Sequence, residues 1–174
     1  IIDFIERKKD IPFFVYYPMA LVHDPFVPTP LSAGWEEKAN RYRKDTAYFR
    51  DMVSYADMVV GRIANKLKEL DLDKNTLLIF TGDNGTSTAI YTKTKTGIIR
   101  GGKGKTIDAG THVPLIVYWP DVIKKGSVYE GLIEFSDFFP TLADIAGKEA
   151  KCDGHSFYKL LTGKGYEPRK TLSV

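Results

Sequence analysis

Cysteine is almost missing from this sequence: Cys152 is the only one in 174 residues, which rules out an internal disulfide framework and a multi-cysteine zinc site. No apolar run approaches the roughly 18 residues that a membrane-spanning helix needs. The first residues, from Ile1 to Lys9, lack the layout of a signal peptide and read instead as an amphipathic helix. Charge of one sign is also scarce. A formal net charge of +3 gives no footprint for nucleic acid, although Lys93, Lys95, Arg100, Lys103 and Lys105 fall close together and favour an anionic ligand. There is no Gly-x-Ser-x-Gly elbow for a serine hydrolase. A phosphate-binding loop ending in Lys105-Thr106 would need glycine where Ile99 stands, and a dinucleotide fingerprint on Gly102 and Gly104 would need glycine where Ile107 stands.

What remains is ordinary for one globular domain with a real core, 43% hydrophobic and 27% charged, and no linker divides residues 1–174. Pro12-Phe13-Phe14-Val15-Tyr16-Tyr17-Pro18 reads as a buried strand, followed by an irregular, proline-held loop from Met19 to Pro30 that carries His23-Asp24-Pro25. From Phe49 to Leu70 apolar residues recur at steps of three and four, which predicts a long amphipathic helix. Thr76–Thr81 and Val113–Trp119 are continuous apolar runs, and runs apolar on both faces suggest a central, mainly parallel sheet. Helical spacing over Asp137–Ala146 ends at Gly147 as a cap, and His155–Leu161 predicts a shorter helix. This order predicts an α/β layered domain with function at the strand ends.

Asp83 and Asn84 directly follow the second run. Read alone, Asp-Asn-Gly is first a favoured turn, and second a carboxylate and an amide carbonyl offered as hard oxygen ligands to calcium or magnesium. The segment Arg100-Gly101-Gly102-Lys103-Gly104-Lys105 is likewise either a solvated basic loop or a flexible loop that brings an ammonium to an oxyanion. His23 is a general-acid candidate near neutral pH or a plain surface histidine; His112 and His155 are weaker candidates. Cys152, with no activating base beyond His155, reads as a buried, inert thiol.

In their joint order and spacing these blocks resemble the sulfatase family of the alkaline-phosphatase-like fold. The matching pieces are Pro12–Tyr16 with His23-Asp24-Pro25 and Pro28; Tyr55-Ala56-Asp57 with Val60–Ile63; Asn75–Leu77 through Thr81–Gly85; Gly101–Gly104 with Thr106, Gly110 and Val113-Pro114; and Phe138–Leu142 with Ala146-Gly147. The resemblance implies that Asp83 and Asn84 bind a calcium ion, that Lys103 holds a sulfate oxygen, and that His23 contacts the ester and helps its alcohol leave. It implies as substrate a sulfate ester, of a sugar, a glycosaminoglycan or an aryl alcohol, and a home outside the cytoplasm. It leaves the oligomeric state open.

The family nucleophile is a formylglycine made within a Cys/Ser-x-Pro-x-Arg motif. No segment here fits, because Cys152 is followed by Asp153, Gly154, His155 and Ser156. The expectation is therefore a catalytic domain that is incomplete on its N-terminal side and cut at its C-terminal side, inactive alone. Ala109 and His112 depart from the family's usual glycine and arginine. Two alternatives stand beside this reading: a phosphonate or phosphate ester hydrolase of the same fold, and a non-catalytic anion- or sugar-binding module.

Overall fold

The computed structural model describes residues 1–172 and divides into two compact units, Ile1–Val117 and Tyr118 onward. In the first unit, α1 (Ile2–Lys8) buries Ile5 and turns Phe4 edge-on to Phe13 at 6.2 Å. α2 (Phe49–Glu69) follows a turn at Thr46–Tyr48, whose start is fixed where the Asp45 side chain accepts from Ala47 N at 2.8 Å. Asp51 in its first turn and Lys66 and Lys68 in its last complement the helix dipole. Asp71, at φ 55°, stops it in the left-handed conformation that aspartate tolerates better than most side chains. Lys66 Nζ bridges the helices, 2.8 Å from Glu69 and 3.0 Å from Glu6, and hydrogen bonds to these carboxylates raise its pKa above the usual lysine value.

One core patch positions the loops that matter. Phe26, Met52 and Ile90 are buried together, with Leu21, Val22, Tyr48 and Phe49 against them, and Phe49 meets Phe26 edge-on at 5.5 Å. Burying each of these large side chains contributes about 1.5–3 kcal/mol before entropy is counted. The patch holds the 19–30 loop through Phe26 and the segment after Asp83 through Ile90 onto the same face of α2. Ser32 reinforces it, donating to Asp51 at 2.6 Å while accepting from Thr29 N at 2.9 Å.

β1 (Leu78–Thr81) pairs with β4 (Leu115–Tyr118), and β2 (Tyr91–Thr94) pairs antiparallel with β3 (Gly97–Arg100) as a hairpin; α3 (Asp108–Thr111) is a single turn between the two sheets. The α/β class and the helix and strand at 49–70, 76–81 and 113–119 stand as predicted. The strand at 12–18 does not form. Its residues join no ladder, with Phe14 and Tyr16 70% and 80% exposed. β-Propensity sets an extended backbone, whereas a ladder also needs a neighbour, and among the described residues β1 pairs with β4 alone. For the same reason β4 is not apolar-buried on both faces: Ile116 is exposed while Leu115 and Val117 are half-buried.

In the second unit, α4 (Phe138–Ile145) and α5 (Tyr158–Leu161) surround a buried polar hub. α4 ends as predicted, with Gly147 at φ 66°, but only the last turn of the predicted 155–161 helix is helical. The fully buried Asp137 accepts from Glu134 N at 3.0 Å, from His155 N at 2.6 Å, and from the Arg169 guanidinium, which also meets Glu134 at 2.9 Å. Burial alone would raise the Asp137 pKa; the guanidinium and the two backbone donors outweigh it and hold the carboxyl below its usual value. Thr141 Oγ1 donates to Asp137 O at 2.6 Å and accepts from Phe157 N at 2.9 Å, seating Phe157 edge-on to Phe138 at 5.7 Å. His155 thus serves through its backbone. Cys152 is exposed rather than buried, because its immediate neighbours Lys151, Asp153 and Gly154 offer it no apolar cover.

Candidate active site

β1 ends at Thr81, and its continuation Gly82-Asp83-Asn84-Gly85 leaves Asp83 exposed and Asn84 half-buried. Gly85 N donates to Gly110 O at 2.8 Å, so the turn is closed by α3, which precedes β4. The glycine-rich segment enters from β3. Gly101 N donates to Ile90 O at 2.9 Å, Gly102 N to Ala109 O at 3.2 Å, Lys103 N to Thr86 O at 2.9 Å, and Lys105 N to Gly102 O at 2.9 Å. Three strips of chain, 82–90, 100–105 and 107–112, are therefore stitched by their backbones. The stitching leaves no space for side chains at its crossings: a Cβ on Gly102 would stand 2.7 Å from both Ala109 C and Gly110 N, and one on Gly85 would stand 2.7 Å from Gly110 Cα. Only glycine lets these backbones approach.

The result is that Lys103, half-buried, is held by its own backbone to the residue two past Asn84. The loop is thus not a free basic loop. Lys105, two residues on, is exposed. Neither the Asp83 carboxylate nor the Asn84 amide has a side-chain partner among the described residues, which leaves their oxygens free as donors. Two hard oxygens fit part of a calcium shell, which takes six to eight. No group of three or more His, Cys, Asp or Glu side chains among the described residues could complete such a site.

His23 sits in the proline-held loop, its N donating to Ala20 O at 2.9 Å. Its Nδ1 lies 2.6 Å from Asp24 O and 3.2 Å from Asp24 Oδ1, so Nε2 is the ring nitrogen without a partner among the described residues. No hydrogen bond or ion pair among the described residues links His23 directly to Asp83, Asn84 or Lys103; the shared Phe26–Met52–Ile90 patch is what relates the two loops.

A cleft of about 240 Å³ that the sequence did not foretell adjoins this site, walled by Asn84, Thr86, Thr92, Ile99, Arg100 and His112. Asp83, Lys103 and His23 do not line it. Its signal was present only as the basic stretch 93–105, which spacing alone could not fold into a hairpin. His112 Nδ1 is 3.1 Å from Asp108 Oδ1 across one turn of α3, both side chains well exposed.

Comparison with known proteins gives a consistent picture. The family model described as Sulfatase matches residues 1–148. The chain is 34% identical to N-acetylgalactosamine-6-O-sulfatase of Bacteroides thetaiotaomicron over 98% of its own length, and 33% identical to human arylsulfatase A over 95%. It covers 34% and 32% of those two proteins, so it spans about a third of the curated relatives it matches. A solved structure described within the metabolism of multiple glycosaminoglycans by B. thetaiotaomicron superposes with a TM-score of 0.75 at 30% identity, covering 97% of this chain and 36% of that one.

Proposed function

The chain belongs to the sulfatase family, and we propose on that premise that it forms the charge-stabilising part of a site that hydrolyses sulfate esters, with sulfated sugars as the substrate class. The observation that supports this is the hydrogen bond from Lys103 N to Thr86 O, which holds the backbone of Lys103 to the strip that begins with Asp83 and Asn84. A sulfate ester in its transition state spreads negative charge over the sulfur-bound oxygens and the departing alkoxide. Lys103 meets the first of these charges, and the Nε2–H of His23 donates a proton to the second. Asp83 and Asn84 would hold a calcium ion, which when bound supplies positive charge beside the sulfate. A formylglycine nucleophile belongs to a segment outside these residues, so residues 1–174 are proposed as one part of a catalytic domain, inactive alone and working outside the cytoplasm. Asn84 argues against a two-zinc phosphatase of the same fold, where a histidine would add a nitrogen ligand.

The test is to assay the full-length protein carrying this sequence, matured for formylglycine, on N-acetylgalactosamine 6-sulfate and an aryl sulfate, beside the isolated 174-residue chain. Turnover by the full-length protein alone, lowered by Asp83→Ala at limiting calcium, is the expected result. Turnover of phosphate esters but not sulfate esters would overturn the reaction class. Anion binding without any turnover would leave the binding-module reading in its place.

A further inference from the structure

Between Asp83 and Asp108 the chain holds five cations, Lys93, Lys95, Arg100, Lys103 and Lys105, and no carboxylate. Lys103 is accounted for by the site above. Three of the others are carried by the β2–β3 ribbon, whose register pairs Tyr91 with Arg100 and Lys93 with Ile98. Directly paired residues in an antiparallel ladder share a face, so Tyr91, Lys93, Ile98 and Arg100 stand together on one side. Thr92 and Ile99 take the other side, where they wall the cleft that also contains Asn84.

The outward side is open and already ordered. Tyr91 is 62% exposed, the Arg100 guanidinium carbon lies 5.4 Å from its ring centroid, and Arg100 Nε donates to Thr88 O at 2.8 Å. An aromatic ring with a polar tip and a cation pinned beside it offers a sugar ring an apolar face and its acidic substituent a partner. Neither Lys93 nor Arg100 forms an ion pair among the described residues. Arg100 also borders the cleft, so it is the residue that the outward face and the cleft rim share.

Resting on the sulfated-sugar reading above, we propose that the outward face of the β2–β3 ribbon is a subsite for the neighbouring residue of an anionic saccharide chain, and that the protein prefers oligomeric over single-sugar substrates. β2 and β3 supply both the outward face and, through Thr92 and Ile99, part of the wall of the cleft that Asn84 also lines, which favours a saccharide passing the ribbon's edge at Arg100 over a nucleic acid lying across the surface; the net charge of +3 gives the latter little support.

Binding is measured by calorimetry on the full-length protein with a chondroitin 6-sulfate tetrasaccharide and with N-acetylgalactosamine 6-sulfate, without reference to turnover. The wild type binds the tetrasaccharide at least about tenfold more tightly. Tyr91→Ala and, independently, Lys93→Gln erase that gap and leave monosaccharide binding unchanged, while Lys124→Gln with Lys125→Gln preserves it. Equal weakening of both ligands, no weakening of either, an equal effect of the Lys124/Lys125 control, or displacement of the tetrasaccharide by single-stranded DNA as readily as by a saccharide of equal charge would each overturn the proposal. If the gap depends on the ribbon but no sulfate ester is hydrolysed, the ribbon subsite stands and the proposed reaction falls.

Discussion

Gly102→Ala is the sharpest probe of how the ammonium is held, because it adds one methyl group next to Lys103 and touches no charged atom. The new Cβ would stand 2.7 Å from Ala109 C and Gly110 N, and 3.0 Å from Ala109 O. Non-bonded carbon contacts settle near 3.5–4.0 Å, so the backbones must part by about 1 Å. All three contacts are main-chain atoms, so no side chain can swing aside. The displacement falls on the hydrogen bond from Gly102 N to Ala109 O and passes to Lys103, one residue away. Moving a charge-stabilising group by about 1 Å costs on the order of 100-fold in rate, or about 2.7 kcal/mol. The assay is kcat/KM of the full-length protein on an aryl sulfate, with Gly61→Ala as control, since a Cβ there meets nothing within 4 Å and lies on α2. A Gly102→Ala enzyme within threefold of the Gly61→Ala control would refute the claim that backbone stitching positions the lysine.

Lys103→Ala should lower kcat by about 10²–10³-fold while Lys105→Ala, exposed and two residues on, changes it little; equal losses would mean a diffuse basic loop. Chelation should abolish turnover and calcium restore it, and Asp83→Ala should raise the calcium needed for half-activity by at least roughly tenfold, read by titration after dialysis; unchanged calcium dependence would remove Asp83 from the shell. Arg169→Ala, which strands the fully buried Asp137 carboxylate, should cost the second unit about 3–5 kcal/mol in urea denaturation, and a loss under 1 kcal/mol would show the hub to be dispensable. Because the folded Asp137 pKa is depressed, its stabilisation is complete above the unfolded carboxylate range near 3.9 and fades as pH falls through the lower folded value; Asp137→Asn should flatten that acid limb.

The long helix was legible because α2 makes its own hydrogen bonds, so the three-and-four spacing from Phe49 to Leu70 needs no partner to be expressed. The 12–18 run was misread for the converse reason: its aromatic and β-branched residues dictate extension, while the ladder depends on a neighbour that no local pattern encodes. The hairpin at 91–100 went unseen because Tyr91–Thr94 alternates lysine and threonine without an apolar face, and its turn at Lys95-Thr96 lacks an Asn-Gly or Asp-Gly pair. Cys152 was misplaced by a base rate for thiols, which says nothing about whether a given loop has cover.

At the candidate site, the residue types were legible and their backbone positions were not. Asp83, Asn84 and Lys103 could be named from residue type and order, yet either of their bland readings, a turn and a solvated loop, fits the same letters. What separates a free loop from a held one is a set of glycines that carry no functional group: Gly85, Gly101, Gly102 and Gly110 all occupy crossings where a Cβ would strike backbone. A glycine of this kind leaves no periodicity and looks like flexibility in a sequence. In the fold it does the opposite, letting three strips of main chain come close enough to satisfy one another's donors and acceptors. The Lys103 backbone is therefore held through its neighbours' lack of side chains, and a loop that composition marks as mobile gains the fixed backbone that the proposed charge-stabilising role requires.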